Sequence, residues 1–259
     1  MKHLVDKFYL SVKQQGLTKA IRHVSSYFGG YKRRAIFDRE VLSSKEIEVR
    51  FTKIYQKNFW GSDESRSGPG STLGASKNVR ATLPIIIKDY SINTIFDAPC
   101  GDFNWMQHVL KEVNVEYVGG DIVAPLIESL SQSYSTDKIQ FKHVNLVKDA
   151  FPKADLMICR DCLFHLSFDD TKSVIKNFLK SEIPLLLTTS HVNKNSFSNM
   201  DILTGDWRLI DLFSAPYTFP KDPLLQFFDD EDRFSRKQLC LFSREQVMRA
   251  FSGTLSGRL

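Results

Sequence analysis

From Thr94 to Val192 the chain repeats one rhythm: a short apolar run, a turn, then apolar residues at helical spacing. The runs are TIFDAP (94–99), YVGGDIV (117–123), IQFKHVNLV (139–147), DLMICRD (155–161) and IPLLLTTSHV (183–192). Helical spacing fills about 105–111, 124–134 and 169–179. Continuous apolar runs of this length, bounded by turn residues, read as strands buried on both faces. Strands that alternate with helices pair in parallel, because each return needs a crossover. Right-handed crossovers then place helices on both faces of the sheet. The expected fold is therefore a doubly wound α/β domain. Further strands at about 207–213 and 237–243 would bring a mostly parallel sheet to seven strands.

The flanks follow other rules. Residues 1–50 carry eleven Lys/Arg against five Asp/Glu, whereas the remainder is nearly neutral, so the overall charge of +5 sits in an N-terminal arm. Leu4, Phe8, Val12, Leu17, Ile21, Val24 and Phe28 recur at helical spacing, which predicts helices there, and Ser43-Ser44-Lys45-Glu46 reads as a further helix start. Gly and Ser dominate 61–75, so that stretch is a loop, and a helix follows over about 76–90. The resulting division is a helical extension over 1–55, the α/β domain over 56–250 with an irregular insertion at about 193–236, and a frayed tail over 251–259. No apolar run approaches a membrane span. Four scattered cysteines fit a reducing compartment, and Asp6 and Lys7 break any leader-like stretch. Cytoplasmic location is expected, with the inner membrane face as the surface to which a basic arm could adhere.

The chemistry concentrates in IFDAPCGDFNWM, residues 95–106. A strand ends in Asp97, a turn with Gly101 allows close backbone approach, and a helix follows. Such a turn lays a ligand across strand carboxyl ends at a topological switch point. Asp97 can accept from an ammonium group. Asp121 closes the second strand, where an acidic residue serves to hold ribose hydroxyls.

Five blocks in order, SRSGPGS (Ser65–Ser71), DAPCGDFNWM (Asp97–Met106), YVGGDI (Tyr117–Ile122), RDCLFHLSF (Arg160–Phe168) and TGDWR from Thr204, resemble class I S-adenosylmethionine-dependent methyltransferases. They look most like a bacterial group that often serves surface polysaccharides and capsules. The resemblance spans about 55–245. It implies a Rossmann-like methyltransferase fold, S-adenosylmethionine as cofactor and S-adenosylhomocysteine as product. It implies that Asp97, Ala98, Pro99 and Gly101 meet the methionine part. Asp121 and Ile122 would hold ribose and adenine, with Asn145 and Leu146 beside the adenine. Arg160 and Asp161 would face the methyl group and acceptor. Trp60, Arg66, Ser67 and Gly68 would belong to a loop folding over the cofactor, Arg66 meeting its carboxylate. The chain departs from the general glycine-rich pattern at Pro99 and Phe103; Phe103 disfavours a pyrophosphate and hence a nicotinamide dinucleotide.

Methyl transfer to a hydroxyl needs alignment and a base. His165 is the first candidate, Asp161 the second and His191 the third. Plainer readings stand beside these: a packed histidine bonded to a carbonyl, a helix cap for Asp121, a solvated linker for 61–75. Cys159-x-x-Cys162 with His165 is half a zinc site without a second pair, so no metal is expected. Cys100 reads as a packing residue. The expected reaction is O-methylation of a sugar, phosphorylated sugar or other polar small molecule, with Arg160, Lys194 or Arg208 as anion partners. The alternatives are N-methylation of an amine and a module that binds the cofactor without catalysis. A nucleic-acid base is disfavoured because RDCLF stands where NPPY would.

Overall fold

The computed structural model describes residues 34–193, 197–230 and 236–255. The chain divides into two compact units, Met1–Lys45 and Glu46–Leu259. In the first, the described residues form a helical segment ending in a π-helical turn, Asp38–Leu42, with Arg34 paired to Asp38 at 2.8 Å. The helices expected over 4–28 lie outside the described residues.

The second unit begins earlier than the expected boundary at residue 56. Its elements are α1 (Ile47–Gln56), α2 (Lys77–Asp89), β1 (Thr94–Asp97), α3 (Met106–Val109), β2 (Glu116–Asp121), α4 (Ala124–Tyr134), β3 (Ile139–His143), β4 (Leu156–Cys159), α5 (Phe168–Ser181), β5 (Leu185–His191), β6 (Leu225–Asp230), β7 (Lys237–Ser243) and α6 (Arg244–Leu255). Among the described residues seven strands form one sheet in the order β3-β2-β1-β4-β5-β7-β6. Five strands are parallel, and β7 runs antiparallel to both β5 and β6. This is the Rossmann-like arrangement that the strand–helix rhythm predicts.

Both sheet faces are dry, which explains the unbroken apolar runs. Alternate residues of one strand feed opposite cores: Ile95 and Ile158 join α2, α3 and α4, while Phe96 and Met157 join α5 and α6. Parallel strands covered on both sides need this composition. The order reverses between β1 and β4, so a crevice opens at the carboxyl ends of the central strands.

Two expectations for the edge need correction. Residues 207–213 form no strand; they are turns and irregular backbone. The sixth strand is instead Leu225–Asp230, which pairs with β7. The apolar residues Ile210 and Leu212 are buried because the insertion packs onto the sheet: His191 N–H donates to Ile210 O at 2.7 Å and Leu212 N–H to Ser190 Oγ at 3.1 Å. A strand and a docked irregular segment look alike by hydrophobicity alone. The expected tail is also shorter, since α6 runs through residue 250 to Leu255. Among the described residues no helix is long and apolar enough to cross a membrane.

Candidate functional site

The crevice at the switch point encloses about 970 Å³ of non-atom space, open mouth included. Its floor is the β1 turn. Cys100 N–H donates to Gly120 O at 2.8 Å and Gly101 N–H to Asp121 Oδ2 at 3.1 Å, so the tips of β1 and β2 are tied together. Gly101 has φ +54, and a Cβ there would stand 2.3 Å from Ser67 Oγ. Both facts favour glycine.

Asp97 is 2% exposed, and Tyr117 Oη donates to its Oδ2 at 2.9 Å. Burial pushes its pKa up to about 7, against the opposing Tyr117 bond and Arg160 charge. Asp121 accepts a second backbone bond at Oδ1, from Val123 N–H at 3.0 Å. Burial raises its pKa to about 6 despite those amides. It therefore steadies the entry to α4 as the capping alternative requires, and still faces the crevice. Two carboxyls raised by burial are waiting for a cation or hydrogen-bond donors; either restores the charged form.

Beyond Asp121 the lining turns apolar. Val123, Leu126, Val144 and Leu146 form a slot, with Ile122 and Asn145 at its edge. Asn145 Oδ1 accepts from Val147 N–H at 3.0 Å, which fixes the loop after β3.

The roof comes from α1 and the Gly/Ser loop. Ile47, Phe51 and Tyr55, spaced by four, aim one helical stripe at the crevice. Their spacing was legible, but the N-terminal assignment to a separate extension hid it. The loop is docked at several points. Ser65 Oγ donates to Asp102 at 2.9 Å, Arg66 N–H to Asp102 Oδ2 at 2.8 Å, and Asp102 N–H to Ser67 Oγ at 2.7 Å. Asn104 Nδ2 donates to Ser71 O and to Glu64 Oε1, both at 3.0 Å. A solvated linker would lack such ties. Asp102 was not singled out by sequence reasoning, because its partners lie 35 to 37 residues away.

The far wall carries the polar groups of β4. Asp161 adopts φ +52, a conformation that Asp tolerates, and its N–H donates to Thr189 Oγ1 at 2.9 Å. Its Oδ2 meets Lys237 Nζ at 2.7 Å and Arg160 at 3.6 Å. Burial alone would raise its pKa; the Arg160 and Lys237 cations outweigh that and hold it well below the ordinary carboxylate range. Asp161 is thus a persistent anion and a poor proton acceptor, which corrects its place among the candidate bases. Arg160 faces Asp229 Oδ2 through Nε and a terminal nitrogen, both at 2.9 Å, and Gly70 O at 2.8 Å, over the Trp105 ring. It lines the crevice with its guanidinium engaged by protein partners.

His165 is the open group. Its Nδ1 lies 2.8 Å from Asp206 O. A carbonyl only accepts, so Nδ1 carries the hydrogen and Nε2 keeps a lone pair. Nε2 has no hydrogen-bond partner among the described residues, and the ring lines the crevice beside Trp60, 5.3 Å between centroids. Burial lowers its pKa, opposed by the Asp206 carbonyl and the Asp161 charge, so the ring is neutral near pH 7. The packed-histidine reading and the base reading thus describe different nitrogens. The TGDWR block secures this arrangement: Gly205 N–H donates to His165 O at 2.8 Å and Arg208 N–H to Phe164 O at 3.1 Å. Thr204 Oγ1 accepts from Ser167 N–H at 2.8 Å and bonds Asp170.

Other expected site residues fall outside the crevice. His191 is 2% exposed and accepts Ile210 N–H at Nδ1, 3.1 Å; burial lowers its pKa to about 4. It ties β5 to the insertion and is not among the residues lining the crevice. Ala98 is wholly buried in the core. Gly68 (φ +101) lets the loop lie against Trp60, 3.2 Å from a would-be Cβ. The Arg66 guanidinium sits over Tyr55, 5.8 Å from its centroid, outside the lining. Arg208 is buried against Tyr217 and Phe168, and Lys194 lies outside the described residues. All four cysteines are buried and free, and no metal-binding cluster occurs among the described residues.

No family model and no curated protein matches this sequence. Solved structures do. Magnesium protoporphyrin IX methyltransferase from Synechocystis PCC 6803 with bound S-adenosylhomocysteine superposes with a TM-score of 0.53 at 11% identity, covering 77% of this chain and 100% of that one. The same enzyme with bound S-adenosylmethionine gives 0.52 at 11%, covering 78% and 99%. At such identity the likeness is one of fold: the sheet order and flanking helices follow the Rossmann-like arrangement of that enzyme.

Proposed function

We propose that this chain is an S-adenosylmethionine-dependent methyltransferase that O-methylates a polar small molecule, with sugars as the favoured class. The observation that carries the reading is one crevice lined by Asp97, Asp121 and His165, whose Nε2 is left free by the bond at Nδ1. The residues fit the cofactor. Its amino group would meet Asp97, its ribose Asp121, and its adenine the Val123–Leu146 slot. Both raised carboxyls would regain their charge against such a ligand.

When bound, S-adenosylmethionine supplies an electrophilic methyl carbon on a cationic sulfur, which leaves as a neutral thioether. The chain's own part is to hold the acceptor oxygen in line, exclude water beneath α1 and the Gly/Ser loop, and take the hydroxyl proton on His165 Nε2. Trp60 packs against the imidazole at 5.3 Å between ring centroids.

Calorimetry with S-adenosylhomocysteine tests the pocket. Mass spectrometry of acceptors incubated with S-adenosylmethionine should then show a gain of one methyl group. Micromolar or tighter binding is expected; no binding to wild-type protein would sink the reading. N-methylation is the second reading, favoured by Asp161, whose negative charge would hold a protonated amine until His165 Nε2 takes its proton and frees the lone pair that attacks the methyl carbon. A capsule or glycan pathway, and contact with an anionic membrane through the basic arm, remain parts of this proposal that rest on sequence.

A further inference from the structure

Resting on that reading, we infer that the acceptor is a neutral, polyhydroxylated ring, recognised by donation of hydroxyl hydrogens to Asp161 and His165, and that phosphorylated acceptors are rejected. Beyond the two strand-tip carboxyls, and beside Tyr55, Ser67, Ser71, Asn145 and Arg160, two groups of the lining can only accept. Asp161 is one, with side-chain exposure of 19%: Lys237 and Arg160 hold it ionised at Oδ2, and Oδ1, with one long bond from Thr189 Oγ1 at 3.3 Å, keeps room for a further donor. His165 Nε2 is another, and as a neutral imidazole with Nδ1–H engaged it can only accept. Both therefore seek donors.

The cations nearby do not reverse this. Arg160 is turned to Asp229 and to Gly70 O. Lys237 stands behind Asp161, outside the crevice lining, at 2.7 Å from Oδ2 and 3.8 Å from Asp229. A Cβ on Gly70 would lie 2.4 Å from Asp161 Oδ2 and 3.1 Å from Lys237 Nζ, so the loop seals this pair from its other side. An incoming phosphate would meet a carboxylate and an acceptor nitrogen, with no unengaged cation among the described lining residues. Phe51, Tyr55 and Trp60 also line the crevice and offer ring surfaces to the carbon face of a ring. A hydroxylated ring has both an apolar face and donors at its edge.

The test uses full-length protein saturated with S-adenosylhomocysteine and saturation-transfer NMR with a panel of methyl hexopyranosides and their monophosphate esters. Neutral glycosides should bind, and each should exceed its phosphate by on the order of a hundredfold, as like-charge juxtaposition requires. Asp161→Asn should erase most of that preference while retaining S-adenosylhomocysteine; Asp161→Glu, which keeps the charge, should preserve it if Asn does not fold. Phosphates binding as well as glycosides would overturn the inference. So would cofactor-loaded protein that binds no glycoside, leaving the methyltransferase reading intact. Loss of S-adenosylhomocysteine binding in the wild type would remove both.

Discussion

At the scale of residues, two histidines that look equivalent in sequence have opposite roles because one hydrogen bond differs. His165 spends Nδ1 on a carbonyl and keeps Nε2 for the crevice; His191 spends Nδ1 on the Ile210 amide and is enclosed. His165→Ala should lower kcat by about 10²–10⁴-fold, the usual contribution of a positioned base, with S-adenosylhomocysteine affinity nearly unchanged. His191→Ala should act on stability instead, costing about 1–3 kcal/mol through the unpaired amide, read as a lower melting temperature. The strand-tip acids predict a pH dependence of known sign. Asp97 and Asp121 titrate near 7 and 6 in the fold, against 3.8 for free carboxyls. The folded apo protein thus binds the extra protons between these values. Their contribution to its stability is complete below about 3.8 and is lost as pH rises through 6 to 7. A ligand with an amino group favours the ionised acids, so S-adenosylhomocysteine should raise the melting temperature more at pH 8 than at pH 5. Equal shifts at both would separate these acids from the cofactor.

At the scale of elements, the decisive feature is the Gly/Ser loop, which behaves as a docked cover because Asp102 and Arg160 hold it from two sides. Asp102→Ala removes the acceptor for Ser65 and the Arg66 amide. Hydrogen exchange at 65–67 should quicken, and dissociation of S-adenosylhomocysteine should speed up by roughly tenfold, since local opening then precedes release at lower cost. Unchanged exchange would mean that the remaining ties suffice. The loop's glycines were readable as turn formers, but their purpose was not. Gly70 and Gly101 are small because Asp161 and Ser67, both distant in sequence, occupy the space a Cβ would take.

At the scale of the molecule, α1 belongs to the unit that begins at Glu46, and its Ile47–Phe51–Tyr55 stripe roofs the crevice. Deleting 1–45 should leave S-adenosylhomocysteine affinity intact, whereas deleting 1–57 should weaken it at least tenfold by uncovering an apolar wall. Equal affinity in both truncations would show that the roof contributes nothing. Flotation with anionic liposomes, comparing the full chain with the first truncation, tests the role proposed for the basic arm; its charge predicts binding that salt abolishes.

The strand–helix rhythm and the acids at two strand tips follow from the sequence alone. They depend on local periodicity and on which residue ends each run, and both are properties of neighbouring positions. What only tertiary structure decided is the state of each polar group. Asp206, 41 residues from His165, chooses the free nitrogen; Lys237, 76 residues from Asp161, fixes its charge; Asp229, 69 residues from Arg160, engages its guanidinium. Hydrogen-bond partners and burial are set by segments that meet only when the chain folds, and no local pattern encodes them.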